Sequence, residues 1–199
     1  MSIPSPAVHA GSLVTLRITV DGRPVDSTLE ILSVVTESPV GANPSAVVRI
    51  RDHGTEGFPV SESSVFLPGA SLSVSAGYDE QTDSIFSGVI VTHRLVTEAT
   101  QGCVLEVECR NATVVESITP PATPVLLVTY GEDLYEMSLG FPKPGDVSGT
   151  VTFPGSSLAV PNALLELSGI NARFDGQHVI SAVRHTLQEG TWLTQTTLG

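Results

Sequence analysis

Residues 68–77 read P-G-A-S-L-S-V-S-A-G and residues 161–169 read P-N-A-L-L-E-L-S-G: a proline-led turn ending on alanine, then a short alternating strand closed by glycine. A second strand follows each copy after a polar turn, S-G-V-I-V-T at 87–92 and S-A-V-R-H-T at 181–186. The prolines lie 93 positions apart and the serines 94, so order and spacing agree to within one residue. A period this long lies outside the range of short solenoid repeats. It predicts two copies of one small β-domain in tandem, with residues 71–92 overlaying 164–186. Three chains with two copies each would close a ring of six similar units about a threefold axis.

At 199 residues the chain holds one large domain or two small ones, and each half lies near the lower limit for burying its own core. An apolar fraction of 41% with 18 Gly and 14 Pro, rich in Val, Thr, Ser and Ile and without long helical faces, predicts an all-β protein. Net charge is −12, from 9 basic against 21 acidic residues, which argues against specific or tight nucleic-acid binding. No apolar run approaches the roughly 20 residues of a membrane span, and residues 1–11 have neither a basic start nor an apolar signal core. The expectation is synthesis in the cytoplasm, no membrane anchoring by this chain, and exit only by lysis or within a machine. Cys103 and Cys109 stand six apart on one face of a predicted strand, roughly 20 Å from each other and too far for a disulfide, so both are expected to be buried free thiols, with a metal or redox role as the alternative.

Along the chain, 12–20 and 28–36 are expected to form a hairpin around Asp21-Gly22, followed by a strand at 46–52 and a long polar loop at 52–67. Strands at 71–77, 84–96 and 103–115 follow in meander order. Residues 117–124, S-I-T-P-P-A-T-P, cannot hold a sheet ladder and read as a linker. The predicted organisation is therefore a first domain at 1–116, the linker at 117–124 and a second domain at 125–199. In the second, 125–130 opens the unit, 134–139 is a short strand or helical turn, and 141–145, F-P-K-P-G, breaks the chain. Strands at 149–153, 163–169, 177–188 and 191–198 complete it, the last two joined by Glu189-Gly190.

Catalytic chemistry is missing from the pattern. There is no zinc-protease helix motif, dinucleotide fingerprint, phosphate loop or nucleophile elbow. The histidines at 9, 53, 93, 178 and 185 lack ligand spacing, and His178 and His185, seven apart in one strand, are expected on opposite faces. Asp52, His53 and Glu56 near several serines form a trio that reads as a solvated loop. Glu106 and Glu108 alternate with Leu105 and Val107 and read as the outer face of a half-buried strand. Trp192 reads as a core or rim anchor of the last hairpin, with a subunit contact as its alternative. No catalytic, cofactor-binding or metal-binding residue is assigned, and the chain is not expected to be an enzyme.

The runs F-L-P-G-A-S-L-S-V-S-A-G-Y-D at 66–79, I-F-S-G-V-I-V-T-H at 85–93 and V-L-E-V-E-C-R-N at 104–111 resemble the hub portion of VgrG-like spike proteins. That family includes the late control protein D of contractile phages. The C-terminal half is similar to the segment that precedes the spike, through V-T-Y-G-E-D-L at 128–134, G-T-V-T-F-P-G-S-S-L at 149–158 and the run from Ser168 onward. The resemblance implies two tandem tube-like β-barrel domains per chain, arranged as a homotrimer with pseudo-sixfold symmetry. It also implies an inner tube protein above, a spike or needle protein below and baseplate wedge components around. Family members usually carry a further domain where this chain has residues 117–124 and continue past position 199 into a spike. The expectation is a compact hub working with a separate spike, or the ordered parts of a longer chain.

The sequence therefore predicts a structural baseplate hub of a contractile injection system or phage tail. Its alternatives are a distal tail or hub protein of a non-contractile phage and a secreted glycan-binding β-sandwich, the latter weakened by 5% aromatic content with one Trp. With −12 per chain, acidic residues are expected on solvent and channel faces, and Arg17, Arg49, Arg94, Arg110 and Arg184 are candidate partners for carboxylates.

Overall fold

A computed structural model describes residues 3–6, 11–53, 57–143 and 146–199. Among these the regular structure is all strand: β1 (Val14–Val20), β2 (Arg23–Pro24), β3 (Ile31–Pro39), β4 (Ser45–Arg51), β5 (Ser71–Tyr78), β6 (Gln81–Glu98), β7 (Gly102–Arg110), β8 (Leu126–Thr129), β9 (Glu136–Lys143), β10 (Asp146–Pro154), β11 (Leu164–Ser168), β12 (Gly176–Gln188) and β13 (Thr191–Leu198). Period-two patterning builds them, because alternate side chains in a strand leave on opposite faces. Ala46, Val48 and Ile50 of β4, Leu72, Val74 and Ala76 of β5, and Leu105, Val107 and Cys109 of β7 all point inward and are buried. Ser73 and Ser75 of β5 and Glu106 and Glu108 of β7 occupy intervening positions, as do Val47 and Arg49 of β4.

The strands form one sheet in the order β2-β1-β5-β6-β7-β4-β3-β12-β13-β10-β9, with β11 on β12 and β8 on β11. The lateral order β1-β5-β6-β7-β4-β3 in the first half is the same, strand for strand in chain order, as β8-β11-β12-β13-β10-β9 in the second. One pairing differs in direction: β1 runs antiparallel to β5, and β8 runs parallel to β11. The P-x-A turns hold the same place in both halves. Gly69 and Asn162 adopt left-handed φ of 97° and 66°, and their N–H groups donate to the carbonyls of Ile90 and Ile180, whose own N–H groups donate to Ala70 and Ala163.

Ile90 and Ile180 each precede an irregularity against the next strand. They are 90 positions apart, so Thr92 matches Ala182 and not Thr186, four residues from the register that the serines predict. A slip by an even number leaves the inside-outside alternation intact, which is why the pattern conceals it. The cause is the hairpin length: β5 pairs with β6 over eight positions and turns at Asp79-Glu80, whereas β11 pairs with β12 over four before a longer loop.

The predicted hairpin of 12–20 with 28–36 is corrected as well. Asp21-Gly22 turns β1 onto the two-residue β2, and β3 crosses away to pair with β4 and β12. Phe141 to Lys143 belong to β9 and do not break it, since Pro142 sits where the ladder to β10 is irregular and needs no N–H. The bulge at Ser181 reverses the parity of β12. His178 pairs with buried Leu165 and His185 with buried Thr194, so the two histidines share a face.

Two hydrophobic clusters lie along the sheet. The first holds Val34, Phe66, Leu72 and Leu105 among others, and the second is built around Val128, Phe153, Leu165 and Ile180. Leu187 and Trp192, from the second half, belong to the first cluster. The halves meet at β3 and β12, antiparallel from Ala182↔Pro39 to Gln188↔Ser33. Residues 117–124 carry no strand; Asn162 anchors this stretch by donating to the Glu116 carbonyl at 2.9 Å and accepting the Ile118 N–H at 3.2 Å.

Candidate functional site

The residues that composition singles out for chemistry are held in structural roles. Asp52 is fully buried, and its two carboxylate oxygens accept the N–H groups of Val60 and Ser61, each at 2.8 Å. It closes the 52–61 loop, so the solvated-loop reading is corrected for this residue. His53 is exposed, and Glu56 lies outside the described residues. The Ser61 and Ser63 hydroxyls donate to the Phe58 and Val60 carbonyls, away from any base. Replacing Asp52 by Ala is expected to strand the buried Val60 N–H and the half-buried Ser61 N–H and to lower stability by about 1–3 kcal/mol. Asn at this site should retain part of that, and urea unfolding of the pair checks it.

Glu106 lies between Arg49 and Arg94, directly opposite both across β4, β7 and β6. It pairs with Arg94 and lies 3.8 Å from Arg49, which also pairs with Glu98. Arg184 pairs with Glu37 at 2.5 Å and Arg51 with Glu30 at 2.7 Å, while Arg17 donates to the Glu80 carbonyl at 3.2 Å. Half-exposed pairs of this kind stabilise little, and their evident effect is to hold register. Cys103 and Cys109 are free thiols, and burial pushes the Cys109 thiol up to about 12. Among the described residues no three His, Cys, Asp or Glu side chains converge as a metal site.

Two of the histidines are tied to backbone. Ring N–H groups of His93 and His178 donate to the Phe66 and Phe174 carbonyls at 2.9 and 2.8 Å. His185 is different: it is 5% exposed and sits at the joint between the two halves. Its Nδ1 lies 3.0 Å from the Thr194 hydroxyl, and that oxygen accepts the Ser156 N–H at 3.0 Å. The Thr194 hydroxyl can donate to Nδ1 or accept its proton, according to the ring's tautomer. Burial lowers the His185 pKa to about 4. Trp192 lies against this ring at 5.7 Å and against Tyr78 at 5.4 Å, so it is a core residue, and the core it fills is that of the other half.

A concavity of about 640 Å³ opens between β1 and residues 24–31 and is lined by Leu16, Ile18, Val25 and Leu29. Asp26 at its mouth is held below the usual carboxylate range by the backbone and hydroxyl of Thr28. Among the described residues no cluster of titratable groups converges there. What the geometry does set out is a joint and its ends. The β3–β12 ladder joins the halves, while β9 at one end of the sheet and residues 92–98 of β6 each carry a strand on one edge only among the described residues.

A family model described as the Alg8 N-terminal domain matches residues 10–120 and 141–189, most of the chain. The chain belongs to the Alg8 N-terminal domain family. The matched stretches of this family flank 121–140, which contains the end of the linker, β8 and part of β9. No curated protein sequence matches the chain.

Among solved structures, the chain is similar to a tail protein from Neisseria meningitidis MC58, with TM-score 0.62 and 10% identity over 93% of this chain and 96% of that one. The 43 kDa tail protein of prophage MuSo2 from Shewanella oneidensis gives TM-score 0.65 and 6% identity over 95% and 98%. An Escherichia coli component of the type VI secretion system, described as similar to the T4 bacteriophage tail proteins gp27 and gp5, gives 0.56 and 8% over 91% and 76%. At these identities the likeness shows the fold, the all-β architecture of phage tail proteins. No helix among the described residues is long and apolar enough to cross a membrane.

Proposed function

We propose that the chain is a structural baseplate hub of a contractile injection system or phage tail and works by geometry without catalysis. Three copies form a pseudo-sixfold ring that joins an inner tube protein above to a spike or needle below, with wedge components outside. The observation that carries this reading is the common strand order of the two halves, joined edge to edge by β3 and β12. Each half supplies one unit of the ring, with the division falling in residues 117–124. The tail-protein fold of the neighbours supports the same reading.

The mass in solution tests it. Three chains of 20.8 kDa should sediment together near 62 kDa, and negative-stain images should show a ring. Since three chains at −12 each repel, raising salt from low to physiological is expected to favour the assembly. A species that stays at 20.8 kDa up to about 100 µM, well above the concentration at which stable interfaces close, defeats the proposal.

A further inference from the structure

The joint inside the chain defines how its open ends can mate. β12 uses one edge for β13; the other carries β11 along its first part and β3 along residues 182–188. In the first half β6 holds the corresponding place, with β7 on one edge and β5 along the start of the other. From Thr92 to Glu98 that second edge carries no strand among the described residues. β9 is the counterpart of β3, second in chain order and last in lateral order, and its outer edge is likewise open. The chain thus presents both sides of a β3–β12 type joint, unmated. The remaining sheet ends are blunted: β2 is two residues long and ends on Pro24, and the Leu127 N–H of β8 is taken by the Pro4 carbonyl.

We infer that β9 of one copy adds antiparallel to residues 92–98 of β6 in the next copy, repeating between chains the joint that β3 and β12 make within one. The inference rests on the ring reading above and specifies the contact that would close the ring, a head-to-tail interface of the kind that generates cyclic assemblies.

The internal joint fixes the register. Ile90 matches Ile180, so Thr92 to Glu98 match Ala182 to Gln188. Val48 and Val151 hold equivalent places opposite Val107 and Thr196, which makes Met137 the match of Val34 and Pro142 the match of Pro39. Transferring the observed pairs sets Thr92 opposite Pro142, Leu95 opposite Leu139, Val96 opposite Ser138 and Thr97 opposite Met137.

Two observations agree with that register. Leu95 and Met137, exposed by 41% and 38%, fall together on the face that His185 and Val34 bury at the internal joint. An apolar row is thus uncovered where a partner strand is missing. Proline does not obstruct the ladder. At the internal joint the Val40 N–H donates to the Ser181 carbonyl at 2.8 Å, so Pro39 directs its nitrogen away from β12; Pro142 lies past Gly140 in the irregular stretch of β9, at the end of the new ladder, where a missing N–H interrupts little. The single adverse pair, Glu98 with Glu136, comes at the ladder's end, where Glu98 already has Arg49.

The test uses the full chain. Val96 and Ser138 form a non-hydrogen-bonded pair in this register, the geometry in which facing cysteines can close a disulfide. V96C/S138C under mild oxidation is expected to give covalent species up to the trimer, at least about tenfold above either single variant and above the shifted pair V96C/G140C. M137K should weaken assembly by roughly a hundredfold or more through a charge on the buried row. Its circular dichroism and melting as a monomer should be unchanged, because the residue is exposed in the single chain. A wild-type trimer in which V96C/S138C fails to link and M137K still assembles overturns the edge pairing and leaves the ring standing. A wild type that never assembles removes both.

Discussion

Replacing Trp192 by alanine is expected to lower the unfolding free energy by about 3–5 kcal/mol, the largest single effect in the molecule. The indole is 3% exposed and lies in the last strand, yet it fills the cluster formed by the first half. Tyr78 and His185 hold two sides of it, and a third is the backbone of Gly155, where an added Cβ would fall 1.9 Å from indole Cδ2. A wall made of backbone cannot relax into the hole, so the cavity term should be near its upper range. The same contact makes Gly155→Ala destabilising, because the indole is pinned between the new methyl and the sheet. Nε1 is buried without a partner, so Trp192→Phe sheds an unsatisfied donor and should fall well short of the alanine loss. Urea unfolding of these variants decides it: a loss under about 1 kcal/mol for Trp192→Ala would mean that the two halves are not joined through this residue.

Stability should also fall as pH drops from about 6.5 to about 4, through His185. Its folded pKa lies below the ordinary value near 6.5, so in that window the unfolded chain binds a proton that the folded chain refuses. The contribution is fully present above pH 6.5, declines as pH falls and is gone below pH 4. A shift of that size corresponds to about 3 kcal/mol. Protonation would place a charge against Trp192 and Thr194 at a position that is 5% exposed. His185→Gln should flatten the profile between pH 5 and 6.5, above the range in which ordinary carboxylates titrate. An unchanged slope in that variant would assign the acid sensitivity to other groups.

The strands themselves were legible wherever burial is one-sided. Ala46-Val48-Ile50, Leu72-Val74-Ala76 and Trp192-Thr194-Thr196-Leu198 announce their inner faces by period two, and the P-x-A turns mark where two strands begin. What escaped was everything that preserves parity or crosses long distances. The four-residue offset between Thr92 and Ala182 keeps every side chain on its face. The bulge at Ser181 has no glycine to announce it, so His178 and His185 seemed opposed. Pro142 argued against a strand because its edge position depends on pairing that local sequence does not encode. Asp52 looked solvated in a polar loop because its partners are backbone N–H groups, which every sequence contains. The membership of Trp192 in the other half's core follows from the β3–β12 joint, for which nothing within either strand is diagnostic.

That joint also sets a schedule for synthesis. β3 ends at Pro39 and its partner on β12 begins at Ala182, so at about 5–20 residues per second the ribosome needs roughly seven to thirty seconds to deliver the second strand after the first. During that interval β3 can be paired by β4 on one side while its other backbone edge stands open, ready to template aggregation with a neighbouring nascent chain. Glu37 on that edge and Pro39 at its end are the residues placed to discourage such pairing. Both then find their place in the finished ladder, Glu37 against Arg184 and Pro39 against Ala182, so the protection used while the chain is incomplete is retained as structure once it is whole.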